Sequence, residues 1–195
     1  MNNDEDKAHI RELIESWAVW RDMGDWERLR SVWHEDGRMH ASWRAGTADQ
    51  FIEANRAGWD KGLDILHLLG GSLIEVAGTR ALSMTKMMIS QRAMIQGVLC
   101  DVTAQARHLD RWEKRNSRWG LLERRTIYDR DRIDAVTPGA VVKLDESILA
   151  KFPMNYRHLA YLQTTLGFPV RTDLPHLRSE AAEVVYREAE GWLRS

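Results

Sequence analysis

A histidine set among leucines is the first residue in this chain with the makings of chemistry. His67 lies in "DILHLLGGSLIEVAG", flanked by Leu66, Leu68 and Leu69. An imidazole kept from bulk water acts as a base near neutral pH when a carboxylate accepts from one ring nitrogen. That bond fixes the tautomer and raises the basicity of the other nitrogen. The neighbouring leucines read as the dry wall such a base needs. The carboxylate on offer is Asp22, in "WAVWRDMGDWERL", directly after an apolar stripe. A side chain at that edge can point between a helical layer and a sheet. The residues alone leave a second reading open, a hydrogen-bonded structural histidine without a catalytic role.

Other side chains carry weaker signals. Arg124 and Arg125 are neighbours on a strand and must face opposite ways, with Leu122, Thr126 and Tyr128 on the parity of Arg124. A solvated surface pair is the alternative for the two arginines. Met84, Met87, Met88 and Met94 suit adaptable packing or the wall of a pocket for a bulky apolar substrate. His108, in "TAQARHLDRW", is read on a polar outer face. Tyr156, His158 and Tyr161, in "NYRHLAYLQ", are read as a packed tail, with closure over a pocket mouth as the other option. "HEDGRMH" holds His34, Asp36 and His40 but lacks HExxH spacing, so it reads as a helix-ending loop and no metal site is expected. There is no GxGxxG or P-loop, hence no sign of a nucleotide cofactor, and no GxSxG elbow.

The elements that must position these residues follow from periodicity. Ile10, Leu13, Ile14, Trp17 and Ala18 form one helical face that stops near Gly24. Asp25 can cap a short helix, "WERLRSVW", and "TADQ" is a capping box opening a third helix at Thr47. After residue 64, "LHLLGGSLIEV", "ALSMTKMMISQ", "VLCDVTAQARHLDRWE" and "WGLLERRTIYD" read as strands. The short turns "AGTR", "AMIQG" and "KRNSR" between them imply antiparallel hairpins. "VTPGAVV" marks a boundary, giving a domain over 1–137 and a helical extension over 138–195 packed on it, the latter broken at Pro153. Helices, then a meander, then a helical tail make the class α+β.

Composition bounds the rest. A chain of 195 residues with 44% apolar and 29% charged residues is an ordinary globular domain. Its formal net charge of −1 gives no pull on nucleic acid or an anionic membrane. The acidic start "MNNDEDKAHIREL" is unlike a signal peptide, and one cysteine, Cys100, fits a reducing compartment, so a cytoplasmic location is expected. Nine tryptophans suit a pocket for a flat hydrophobic ligand, a core or a subunit interface.

The order of "RDMGDWERLRSVWHEDG", "HLLGGSLIEV" and "RWGLLERRTIYDRDRID" resembles the SnoaL-like branch of the nuclear transport factor 2-like superfamily, over about residues 7–135. The tail resembles an extension of some bacterial members. The resemblance implies a cone-shaped curved antiparallel sheet packed on N-terminal helices around a deep apolar pocket. It also implies a catalytic dyad of Asp22 and His67, with Arg124 turned inward as the last-strand arginine. Trp17, Trp43, Met88 and Tyr128 are the further substrate-binding candidates. Trp17 stands where the dehydrochlorinases of this superfamily carry a lysine, and an indole cannot hold a departing chloride as an ammonium does. Trp20, Arg21 and Trp43 stand nearest the tyrosines of scytalone dehydratase. The implied activity is a cofactor-independent lyase acting on a hydrophobic, aromatic or polycyclic substrate, by loss of water or by carbon–carbon cleavage releasing formaldehyde, as from lignin-derived compounds. An isomerase of the same fold, or a non-catalytic small-ligand carrier, are the alternatives. A homo-oligomer, a trimer by analogy, is expected.

Overall fold

The computed structural model describes residues 3–195, so the first two residues of the acidic N-terminal stretch lie outside it. Three helices come early: α1 (Asn3–Met23), α2 (Trp26–Ser31) and α3 (Ala48–Asp60). Helix α1 buries Ile10, Ile14, Trp17 and Ala18 and ends where Gly24 turns the chain with φ +73°. A Cβ at Gly24 would lie 3.1 Å from the Trp59 ring, so a glycine serves both the turn and the close approach of α3. Asp25 caps α2 by accepting from the Arg28 amide, and Thr47 and Gln50 form the expected capping box of α3. Asp22 therefore sits on the last turn of a helix fixed at its end.

The strands β1 (Trp33–His40), β2 (Ala45–Thr47), β3 (Asp64–Ala77), β4 (Arg80–Ile95), β5 (Val98–Arg115) and β6 (Arg118–Ala135) form one curved sheet in the order β2-β1-β6-β5-β4-β3. The meander β3 to β6 is antiparallel throughout, as the short turns required. The segment "HEDGRMH", expected as a loop, is strand β1 and joins β6 in parallel. Pairing with β6 at Trp33 and again over Arg38, Met39 and His40 holds the segment in the sheet, and the turn-like Asp36–Gly37 pair falls in the irregularity between them.

Bulges decide which side chains face inward. In β3 the pairing with β4 shifts between Leu69 and Ser72, so one extra residue is absorbed at Gly70–Gly71. His67 and Leu69 point inward before the bulge, and Ile74 does so after it. Leu66 and Leu68 consequently face out, at 60% and 65% exposure, and are not the pocket wall that their adjacency to His67 indicated. A second shift, where Arg111 pairs with Glu123 but Trp112 with Leu121, leaves Leu122 as the extra residue. Leu121 takes the fully buried inner place that alternation assigned to Leu122.

The tail forms α4 (Glu146–Leu149), α5 (Arg157–Thr165) and α6 (Glu180–Arg194). Tyr156, Leu159, Ala160, Tyr161 and Leu162 share one buried cluster with Val102, Ala104, Ala106 and Tyr128 of the sheet. Asp131 of β6 accepts from the amides of His158 and Leu159 and from His158 Nδ1, fastening the start of α5. Among the described residues no helix is long and apolar enough to cross a membrane.

Candidate active site

The end of α1 and the start of β3 bring Asp22 and His67 together. His67 Nδ1 donates to Asp22 Oδ1 at 2.8 Å, and the His67 amide donates to Asp22 Oδ2 at 2.5 Å. A carboxylate holding both the ring and the backbone of one residue leaves that ring little freedom. Because the carboxylate only accepts, Nδ1 carries the proton and Nε2 presents its lone pair, with no partner among the described residues. Burial is the largest influence on the imidazole and pulls its pKa below 6.5, partly offset by the Asp22 bond. His67 is thus a neutral, oriented base at pH 7.

Arg21 steadies the carboxylate. Its guanidinium reaches Asp22 Oδ1 and the Ile65 carbonyl, each at 3.3 Å, and donates twice to Asn55 Oδ1. Asn55 in turn donates to the Phe51 carbonyl, which ties the dyad to α3.

Around the dyad lies a pocket whose empty space, open mouth included, is about 850 Å³. Its aromatic side is a run in which Trp17 stacks on Phe51, Phe51 on Trp43, and Trp43 meets Phe168 of the tail. Ile65, Met87 and Ile89 line the sheet side, and Tyr128 stands beside Ser42 and Thr126. Burial pushes the Tyr128 hydroxyl up to about 12, so it remains a donor at neutral pH.

Of the substrate-binding candidates, Trp17, Trp43 and Tyr128 line this pocket and two others do not. Met88 pairs with Leu68 and Gln105 and shares the outward parity of Leu68. Met87 takes the inward position, because its neighbours Ile89 and Gln91 on the same face line the pocket. Arg124 is inside the protein but off the pocket wall. Its Nε and Nη2 bind both oxygens of Asp110 at 2.7 and 2.8 Å, and its guanidinium lies 4.3 Å from the Trp17 ring centre. It is held behind Trp17 rather than presented to a ligand.

His108, read from its strand as facing outward, is fully inside and lines the pocket. Thr126 engages its Nδ1 at 3.2 Å, while Nε2 is buried without a partner among the described residues. Burial and the nearby Arg124 hold it neutral, well below pKa 6.5. His67 and His108 both meet Trp17 edge-on, at 5.5 and 5.7 Å, so the indole stands against both rings. The members of "HEDGRMH" are dispersed: His34 bonds the Glu113 carbonyl, Asp36 pairs with Arg115 and His40 lies 3.0 Å from Glu123.

The tail enters the pocket through Leu159, Gln163 and Phe168. Tyr156 and Tyr161 pack beneath it, and His158 is spent on Asp131. Position in the chain gave no sign of Gln163, since nothing in "HLAYLQTT" distinguishes it from a surface glutamine.

Comparison with known proteins places this architecture. Residues 4–125 match the SnoaL-like domain. A PEP2-like protein of Fusarium vanettenii is 35% identical over 96% of this chain and 85% of its own length, so its similarity runs on through the tail. A scytalone dehydratase candidate from Novosphingobium aromaticivorans superposes with a TM-score of 0.57 at 16% identity, covering 72% of this chain and 97% of its own. A hexachlorocyclohexane dehydrochlorinase from Novosphingobium barchaimii gives 0.54 at 15% identity, covering 73% and 97%. These likenesses show the shared cone.

Proposed function

The chain belongs to the SnoaL-like family, and we propose that it is a cofactor-independent lyase that removes water from a hydroxylated aromatic or polycyclic substrate. The observation carrying this reading is the Asp22–His67 pair: an oriented neutral imidazole with a free Nε2, opening on an aromatic pocket. A carrier has no use for a buried carboxylate that fixes a ring tautomer.

In the proposed reaction His67 Nε2 takes a proton from the carbon next to a carbonyl. The C–H electron pair moves onto the carbonyl oxygen as an enolate. The enolate then re-forms the carbonyl, and the carbon–oxygen bond to the β-hydroxyl breaks. The departing oxygen takes the proton back from the His67 imidazolium and leaves as water, so the base is restored. Asp22 stabilises the imidazolium between these steps. Dehydrochlorination is not favoured, because Trp17 offers no ammonium group and the Arg124 guanidinium, bonded to Asp110, does not line the pocket.

Incubation with a panel of aromatic β-hydroxy ketones, followed by absorbance of the conjugated product, tests this reading. His67→Ala is expected to lose about 10²- to 10⁴-fold in turnover, and Asp22→Asn a similar order. Retained turnover in both folded variants rejects the base.

A further inference from the structure

Two buried carboxamides in the pocket play no part in the dyad chemistry. Gln163, on α5, is 5% exposed and lines the pocket. The Ser42 hydroxyl donates to its Oε1 at 2.6 Å. That bond turns the amide, taking up the oxygen and leaving Nε2 without a partner among the described residues. Gln91, on β4, is 2% exposed, lines the same pocket and has no side-chain partner among the described residues. Neither amide has an atom that is both shut from solvent and unpaired, so their free groups open on the pocket, where a ligand that displaces water must pair them. A pocket built with such groups favours a ligand that supplies the match and discriminates against one that lacks it.

The sign of the match follows from what is already committed. The Gln163 oxygen is occupied and its N–H groups are free, and the Tyr128 hydroxyl beside Ser42 keeps its proton. The Ser42 proton is already spent on Gln163, so the free donors at this spot are the Gln163 N–H groups, and their complement is an acceptor oxygen. The neighbouring Trp43 and Phe168 rings ask for a flat body on which that oxygen is carried.

We propose that Gln163 is a substrate-binding residue whose Nε2 donates to the carbonyl oxygen of a ring ketone, so that the C-terminal extension completes the active site. This rests on the lyase reading and assigns the residue that holds the substrate's carbonyl oxygen. The oxygen held by Gln163 is the atom that receives charge when His67 removes the adjacent proton. The family match ends at residue 125, before the tail, so the SnoaL-like core alone lacks this group.

The test is calorimetric binding of 1-tetralone and of tetralin, the same bicyclic body without the oxygen, to the full-length protein. Wild type is expected to prefer 1-tetralone by roughly tenfold, the worth of one net hydrogen bond. Gln163→Met is expected to bring the two affinities together by weakening 1-tetralone while leaving tetralin unchanged, which a merely structural role would not do. Gln163→Glu keeps the acceptor for Ser42 and removes the donor, and the same loss is expected there. Equal binding of both compounds by wild type, binding of neither, or a preference surviving in either variant overturns the proposal. A wrong assignment of the base shows instead as undiminished turnover in His67→Ala, and leaves the ketone preference intact.

Discussion

At the scale of the residue, His67 owes its role to two opposed influences. Burial favours the neutral ring, and Asp22 favours the charged one, with burial the larger. The result is a base that is free of its proton at pH 7 yet stabilised when it accepts one. The pH dependence follows in sign. Because the pKa lies below 6.5, kcat/KM is expected to stay level from pH 7 to 8 and to fall only as pH drops below 6.5. A profile that still climbs between pH 7 and 8 contradicts a depressed pKa. The residues offered Asp22 as a partner for His67 because it directly follows an apolar stripe, and the family resemblance implied the dyad. No such cue marked His108, whose strand reads "ARHLDRW" and whose partner Thr126 lies on the neighbouring strand.

At the scale of the element, bulges and buried ion pairs govern what reaches the pocket. The meander, the capping box and the Gly24 stop were legible because each is set by neighbours in sequence. The parity of β3 and β6 was not, since one inserted residue at Gly70–Gly71 or Leu122 reverses every side chain beyond it. Met87 and Met88 are chemically alike, so only the strand's face separates them. The Arg124–Asp110 pair joins β6 to β5, and Ser83 and Trp112 extend it by donating Trp112 Nε1 to Ser83 Oγ and Ser83 Oγ to Asp110. Both charges are shut from water, with 1% and 0% of their side chains exposed. Asp110→Ala leaves a buried guanidinium unpaired and is expected to cost about 3–5 kcal/mol, read as a lower denaturant midpoint. The double variant Asp110→Leu with Arg124→Met is expected to recover much of that loss. A single variant as stable as wild type contradicts the structural role given to Arg124.

At the scale of the whole molecule, cone and tail share one interior. The cluster joining Tyr156, Leu159 and Tyr161 to Val102, Ala104 and Ala106 draws on both, and the pocket takes Leu159, Gln163 and Phe168 from the tail. Deletion of residues 138–195 is expected to lower the thermal midpoint by well over 10 °C or to prevent folding, because it bares the sheet surface that α5 covers. An unchanged midpoint would make the tail an appendage. The tail's helices were readable from their periodicity. Its entry into the pocket was not, because that depends on Asp131 seizing the start of α5 from a distant strand.

The central claim is that Asp22 holds His67 as a neutral base with Nε2 free, and it can be tested without knowing the substrate. Long-range ¹H–¹⁵N NMR of the histidine side chains at pH 7 reports which ring nitrogen bears the proton. The expected result is a neutral His67 ring protonated at Nδ1, with the imidazolium appearing only below pH 6.5 and the single tautomer lost in Asp22→Asn. A His67 ring that is charged at pH 7, or that carries its proton on Nε2, contradicts the mechanism.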